Sequence, residues 1–126
     1  MTTLYAPIPY GTLSASARAE LVNGCGSSAA RFDFVPDNIL GLDIYEACCI
    51  HDYMYTMGSS LADKEEADRV FLNNLLRLIE AETSSIGKLL KMPRRRRALV
   101  YYEYVTAFGG PAFWAGKNKP EEEITV

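Results

Sequence analysis

The only histidine of the chain, His51, is followed directly by an aspartate, Asp52. In a helix, His51 and Tyr55 would lie one turn apart on the same face, while Asp52 would project about 100° round the helix. One helix would then offer a general base and, beside it, a carboxylate directed at a neighbouring volume. This spacing predicts a base next to a bound cation. The simpler interpretation is a structural histidine in an apolar segment, and the rest of the chain has to decide between the two.

A second carboxylate, Asp68, lies in a segment whose apolar residues recur at spacings of three and four. That periodicity predicts a helix over about 61–81. Asp68 falls near the edge of the apolar stripe, where a carboxylate must be either exposed or hydrogen-bonded. The residues alone favour a surface ion pair with Lys64 or Arg69, and a hydrogen bond within the fold is the alternative.

The elements that would position these groups are helical. We predict an all-α fold, with two long antiparallel helices over about 42–57 and 61–81 and a third helix from Pro93 to about Phe108 packed against them. Gly58 is expected to end the first of these helices, because glycine commonly follows the last helical residue.

The N-terminal part of the chain is expected to be less regular. Residues 1–13 are punctuated by proline and glycine, which predicts an irregular segment, and Ser14 or Ser16 can cap a short helix that continues to about Val22. Residues 23–28 contain two glycines, an asparagine and two serines. This composition predicts a tight loop in which positive φ is tolerated and backbone carbonyls can converge on one point.

The composition is that of a globular protein. With 126 residues, 48% of them hydrophobic, we expect one domain over 1–116, followed by a polar and flexible tail over 117–126. The net charge of -3 argues against general nucleic-acid binding. No apolar stretch reaches the roughly 20 residues that a membrane span requires. The composition does not indicate an oligomeric state.

The N-terminus lacks the basic region and the long apolar stretch of a signal peptide. We therefore expect the protein to be cytoplasmic as synthesised, or to be secreted or delivered to a membrane by a route that the sequence does not display. The three cysteines are too few for a disulfide-stapled scaffold, and their odd number leaves at least one free thiol in a monomer.

Positive charge is concentrated before and within the third predicted helix. The cluster consists of six cations: Lys88, Lys91, Arg94, Arg95, Arg96 and Arg97. It could attract the protein to anionic phospholipid, at about 1 kcal/mol for each cation near the surface. The alternative is a solvated helix start without a partner.

Taken together, the motifs resemble the secreted phospholipase A2 family. They occur in the order NGCGS, CCxHDxxY and KxxxDxxFxxxL, and they cover about residues 22–78. The likeness is greatest to the group XII type and to the small prokaryotic and fungal phospholipases A2. It implies a phospholipase A2-like fold, in which two long antiparallel helices carry the His-Asp site beside a Gly-rich calcium loop.

The resemblance implies a role for each matching residue. His51 would be the general base, Asp68 would hydrogen-bond it, and Tyr55 would support Asp68. Asp52 would bind Ca²⁺ together with the loop. The loop positions that match the family's calcium loop are Asn23, Gly24 and Gly26.

The implied activity is calcium-dependent hydrolysis of the sn-2 acyl ester of glycerophospholipids at a membrane surface. Such chemistry needs a base to activate water and a cation or hydrogen-bond donors for the oxyanion. The alternative is a catalytically inactive module of the same fold that binds lipid or protein. A plain helical interaction protein is a further rival, and it predicts that Asp68 faces solvent far from His51.

The sequence departs from the family pattern at several cysteines. Only Ile50 separates the paired cysteines from His51, and Met54 stands where secreted members have a cysteine. The resemblance still implies one disulfide, between Cys25 and Cys48. It also suggests a second tyrosine beside Asp68, which Tyr101 or Tyr102 of the third helix could supply, although both could simply be core aromatics. Whether this disulfide forms, and whether activity is retained, are left open by these departures.

Overall fold

The computed structural model describes residues 2–14, 16–17, 36–117 and 125. These residues are mostly helical, which confirms the all-α class. The described elements in chain order are α1 (Ile8–Gly11), β1 (Asn38–Ile39), β2 (Leu42–Asp43), α2 (Tyr45–Met57), α3 (Leu61–Ala81), α4 (Ser85–Leu89), α5 (Lys91–Phe108) and α6 (Gly110–Trp114).

The α2–α3 hairpin is fixed by capping on both sides of its connection. Gly58 ends α2, as predicted, and its N–H donates to Met54 O at 2.9 Å. Ser60 caps α3: its Oγ accepts from the N–H of Asp63 at 3.1 Å, and Asp63 Oδ2 accepts from the N–H of Ser60 at 3.2 Å. This reciprocal pair satisfies two backbone donors that a helix start otherwise leaves open. Because the connection is so short, α2 and α3 are antiparallel neighbours.

The predicted start of α2 at residue 42 is wrong. Asn38 pairs with Asp43, and Ile39 with Leu42, in a two-strand antiparallel hairpin. Its turn contains Leu40, a non-glycine residue at a φ of 48°, for which the sequence gives no signal. The helix therefore begins at Tyr45, where Asp43 Oδ1 accepts the backbone N–H of Tyr45 at 2.9 Å.

The N-terminal segment is more regular than predicted. It contains α1, one helical turn that follows Pro7. Asn74 of α3 ties the segment to the core: its side chain accepts from Tyr5 N at 2.7 Å and donates to Tyr5 O at 2.8 Å. Ser14 Oγ accepts the N–H of Ala17 at 3.1 Å, and residues 16–17 are helical. The rest of the helix predicted to reach Val22 lies outside the described residues.

The third long helix begins two residues earlier in the chain than predicted. Pro93 lies in the first turn of α5, where a missing N–H costs no intrahelical hydrogen bond. The connection before it contains the short helix α4, whose first turn is capped by Ser84 Oγ accepting from Gly87 N at 3.0 Å. The last described helix, α6, follows α5 directly.

The core covers two sides of α2. The main apolar cluster joins α2 to α3, α5, α6 and the hairpin, and its fully buried members include Ile39, Ile44, Ala47, Tyr55, Ala67, Phe71, Leu75, Ile79, Ala98 and Phe113. A smaller cluster packs the N-terminal segment against α2 and α3 through Tyr10, Cys49, Ile50, Tyr53 and Val70. Any polar side chain on α2 between these clusters is therefore removed from water. In the described part of the chain, no helix is both long enough and apolar enough to cross a membrane.

Candidate active site

His51 and Asp68 form a buried pair where α2 crosses α3. His51 Nε2 lies 2.8 Å from Asp68 Oδ1, and the two residues are 2% and 1% exposed. The imidazole ring is also packed against the rings of Tyr55 and Phe71, with centroid distances of 4.3 and 4.6 Å. The hydrogen bond predicted between Asp68 and His51 is therefore confirmed.

The charge state of Asp68 determines which nitrogen of His51 can act as a base. Burial alone would raise the pKa of Asp68, but the hydrogen bond and charge of His51 and the hydrogen bonds of Lys64 and Tyr55 outweigh it, so the pKa lies below its usual value of 3.8. An ionised carboxylate only accepts hydrogen bonds, so the proton in the Nε2–Oδ1 contact belongs to Nε2. In the neutral ring the basic lone pair is then on Nδ1.

Tyr55 supports the same carboxylate. Its hydroxyl donates to Asp68 Oδ1 at 2.7 Å, and the side chain is fully buried. Burial raises the pKa of Tyr55 far above its usual value, and the charge of Asp68 and the hydrogen bond to it act in the same direction. The phenol therefore stays protonated and remains a donor to Asp68.

A residue that the sequence reasoning placed at the surface, Lys64, completes the cluster. Its Nζ donates to Asp68 Oδ2 at 2.8 Å and to the carbonyl oxygen of Val105 in α5 at 3.2 Å. Lys64 is only 6% exposed, so the predicted surface ion pair with Asp68 is wrong in location although Lys64 is the correct partner. The other proposed partner, Arg69, pairs with Glu66. The i, i+4 spacing of Lys64 and Asp68 on a half-apolar face was the available signal.

The tyrosines of α5 do not contribute to this cluster. Tyr101 donates its hydroxyl to the carbonyl oxygen of Asn38 in the hairpin at 3.1 Å, so the suggestion that it supports Asp68 is wrong. Tyr102 lines a cavity of ≈ 560 Å³ together with Lys64 and Asp68. The three side chains that donate to Asp68 come from α2 and α3, and Lys64 holds the position suggested for a second tyrosine.

Asp52 follows His51 in α2 and is 2% exposed. Carboxylate oxygens are among the ligands that Ca²⁺ prefers, so the side chain of Asp52 has the chemistry of a metal ligand. The other suggested ligands, Asn23, Gly24 and Gly26, lie outside the described residues. Within the ranges that the structure describes, no group of three or more His, Cys, Asp or Glu could hold a metal ion.

The two cysteines of α2 differ in state. Cys48 takes part in a disulfide, whereas Cys49 is a buried free thiol. Burial raises the pKa of the Cys49 thiol to about 11, against the lowering effect of a hydrogen bond to Tyr45. The suggested partner of Cys48, Cys25, lies outside the described residues.

The geometry bears on the rival interpretations. A plain helical interaction protein predicts an exposed Asp68 far from His51, and both expectations are contradicted. The remaining arrangement is a buried histidine, an ionised carboxylate hydrogen-bonded to it, and a second buried aspartate at the next position of the chain. A scan against protein-family models found no match for this chain, and neither did a search of the curated proteins or of the solved structures.

Proposed function

We propose that this protein is a calcium-dependent phospholipase A2 with a phospholipase A2-like fold. It would hydrolyse the sn-2 acyl ester of glycerophospholipids and release a fatty acid and a lysophospholipid. The observation that carries the proposal is the buried hydrogen bond of 2.8 Å between His51 Nε2 and Asp68 Oδ1. Orienting a single histidine through a buried carboxylate is how proteins prepare an imidazole for proton transfer.

His51 is the general base in this proposal. Its Nδ1 takes a proton from a water molecule, whose oxygen forms a bond to the sn-2 carbonyl carbon. Asp68 stabilises the resulting imidazolium, because its carboxylate is ionised and held by Tyr55 and Lys64. When the tetrahedral intermediate collapses, the bond to the glycerol oxygen breaks and that oxygen takes the proton from Nδ1.

Ca²⁺ is the proposed cofactor. Asp52 and the loop that contains Asn23, Gly24 and Gly26 would hold it, and when bound it would supply positive charge for the carbonyl oxygen of the ester. The support within the described residues is Asp52 itself, a buried carboxylate adjacent to the base.

The proposed partner is a phospholipid surface bound peripherally, rather than a nucleic acid. The support is an edge formed by α4 and the start of α5. Its exposed apolar residues, Ile86, Leu89 and Met92, are 59%, 73% and 59% exposed. Exposed cations accompany them at Lys88, Arg96 and Arg97. Such a combination of apolar and cationic side chains suits an anionic bilayer.

Not all of the six clustered cations can serve that surface. Arg94 is 4% exposed and donates Nη2 to the carbonyl oxygen of Leu40 at 2.9 Å. Lys91 and Arg95 both pair with Glu80 of α3. The second candidate function, a catalytically inactive lipid-binding module, would use the same edge and would not need His51.

The proposal is tested with vesicles of a phospholipid that carries different acyl chains at sn-1 and sn-2. We expect the intact protein, with millimolar Ca²⁺, to release the sn-2 fatty acid only. His51→Ala should lower the rate about 10²- to 10⁴-fold, because the general base is lost. Cys49→Ala is the matched control, since it truncates a buried side chain of the same helix outside the hydrogen-bonded cluster and should remain active. Lipid binding without release would favour the inactive module, and release that survives His51→Ala would refute the mechanism.

A further inference from the structure

We propose that Lys64 is a positioning residue that holds the Asp68 carboxylate in the orientation required by His51. The inference rests on the proposed hydrolase function and adds a group to it. The ion pair within the cluster, Lys64 Nζ to Asp68 Oδ2 at 2.8 Å, is the contact from which it is drawn.

The two oxygens of Asp68 are divided between different partners. Oδ1 accepts from both His51 Nε2 and the Tyr55 hydroxyl, whereas Oδ2 accepts from Lys64 Nζ. A carboxylate held at one oxygen only can still rotate about its Cβ–Cγ bond. Contact at the second oxygen fixes that rotation, so Lys64 determines the direction in which Oδ1 faces the imidazole.

Lys64 is itself held in place by a third helix. Its ammonium contacts the carbonyl oxygens of Val105 and Thr106 at 3.2 and 3.5 Å, near the C-terminal end of α5. The Val105 carbonyl also accepts the N–H of Gly109 at 2.9 Å and can take a second donor, and the negative end of the helix dipole attracts a cation. An ammonium has three N–H donors, and three oxygens are arranged around this one. Burial of the charge is thereby compensated.

The space next to this contact explains what the loss of Lys64 would do. Lys64, whose ammonium contacts Asp68 Oδ2, lines a cavity of ≈ 560 Å³ together with Asp68. Without the ammonium, water can enter that space and compete for the carboxylate. Asp68 would then be held only by groups on Oδ1, and its orientation towards His51 would be less restricted.

The test variant is Lys64→Met, which keeps an unbranched side chain and removes the ammonium. We expect kcat to fall about tenfold to a hundredfold, which is the usual effect of replacing a residue that hydrogen-bonds and orients a metal ligand. KM should change little, because Lys64 contacts Asp68 rather than the ester. Lys64→Arg should restore most of kcat, since the adjoining cavity can accept the larger guanidinium and its N–H groups can donate to Oδ2.

A spectroscopic readout separates positioning from stability. His51 is the only histidine, so the ring nitrogen signals of a ¹⁵N-labelled sample belong to it without ambiguity. In the neutral ring of the intact protein we expect one protonated nitrogen, Nε2, and one unprotonated nitrogen, Nδ1. In Lys64→Met the two signals should move towards each other as the tautomers mix. Arg69→Met is the matched control, because it removes a cation that lines the same cavity but does not contact Asp68.

The possible outcomes are distinct. If Lys64→Met is folded and both its kcat and its tautomer signals match the intact protein, the role of Lys64 is refuted while the proposed hydrolase remains. If the intact protein hydrolyses no lipid, the proposed function fails, but the tautomer signals still support or refute positioning by Lys64. If Lys64→Met does not fold, Lys64→Gln, which keeps a neutral donor, is subjected to the same two readouts. A loss of kcat with unchanged tautomer signals would also contradict the inference.

Discussion

The side chain of Asp68 combines deep burial with a full negative charge. Its carboxylate accepts from His51, Tyr55 and Lys64 and is almost inaccessible to water. Removing one partner of such a buried ion pair is strongly destabilising, because the charge of the other partner is left uncompensated. The same three contacts that would prepare His51 for catalysis therefore also contribute to the stability of the fold.

Replacing the charged side chain of Asp68 by a neutral one should lower the free energy of unfolding. In Asp68→Asn the ammonium of Lys64 would remain buried next to a neutral amide, and we expect the free energy of unfolding at neutral pH to fall by about 3–5 kcal/mol. Urea unfolding of both proteins followed by circular dichroism would measure this difference. Arg69→Gln, at an exposed ion pair one residue further along α3, should change the free energy by no more than about 1 kcal/mol. Equal stability of Asp68→Asn and the intact protein would contradict the buried ion pair.

The pH dependence of stability follows from the direction of the Asp68 shift. The pKa of Asp68 in the folded protein is below 3.8, so the unfolded chain takes up its proton at a higher pH than the native state does. The stabilisation is complete above the unfolded-state pKa and is lost as the pH falls through the folded-state pKa. Between about pH 5 and the acid limit of folding, the intact protein should therefore lose more stability than Asp68→Asn. Parallel unfolding curves for the two proteins over that range would argue against this shift.

Part of this cluster could be predicted from the sequence. Asp68 was recognisable because a carboxylate stands out near an apolar helical stripe, and His51 and Tyr55 because they share a face of one helix. Lys64 was predicted as a partner of Asp68, but its burial could not be predicted, because a lysine four residues before an aspartate usually forms a solvated pair. The direction in which the Tyr101 side chain points could not be predicted either, since it depends on how α5 packs on the hairpin.

The junction between α5 and α6 lies very close to the polar cluster. Gly109, between α5 and α6, lies against the Tyr55 hydroxyl and the carbonyl oxygen of Val105, and an added Cβ would overlap both atoms. Its φ of -78° is ordinary, so the requirement for glycine here is the available space rather than the backbone conformation. The α5–α6 junction is therefore coupled directly to a member of the proposed site.

Gly109→Ala should disturb Tyr55 through this contact. We expect a loss of about 1–3 kcal/mol in the free energy of unfolding, as for other overpacked positions, together with reduced activity. Gly110→Ala is the control, because an added Cβ at the next residue would meet nothing within 4 Å. Thermal unfolding of the two variants would provide the comparison. If both variants behave alike, the close approach between Gly109 and Tyr55 does not exist in solution.

At this scale the sequence was informative where a long apolar period or a helix-ending glycine is present. The spacing of apolar residues predicted α3 over 61–81, and Gly58 identified the end of α2. The sequence did not reveal the hairpin before α2, because its two-residue strands are too short to show an alternating pattern and only Gly41 of its turn is a typical turn residue. One-turn helices such as α1 have too few residues to show a period.

In the whole molecule, the polar cluster around Asp68 and the apolar and cationic edge lie in different places. The polar cluster is enclosed where α2, α3 and the end of α5 meet, whereas the apolar and cationic edge is formed by α4 and the start of α5. The edge can therefore be changed without altering the cluster. This separation allows membrane binding and catalysis to be measured independently.

The edge should bind anionic vesicles more tightly than neutral ones. Replacing Arg96 and Arg97 by glutamine should weaken binding to phosphatidylglycerol vesicles by about 2 kcal/mol, or roughly thirtyfold, and should leave binding to phosphatidylcholine vesicles little changed. The double variant Arg69→Gln with Arg77→Gln is the control, since it removes the same charge from α3. Co-sedimentation at two salt concentrations would measure both effects. Equal weakening by the two double variants would show that net charge, rather than this edge, controls binding.

The initial rate of sn-2 fatty acid release by the intact protein, measured first with millimolar Ca²⁺ and then with excess chelator, tests the proposed catalytic site most directly. The arrangement of His51, Asp68 and Asp52 predicts steady release with Ca²⁺, loss of release with chelator, and recovery when Ca²⁺ is restored. Release that is unchanged by the chelator would contradict the role of Asp52 and its loop. The absence of release under every condition, from protein shown to be folded, would contradict the proposal that His51 is a catalytic base.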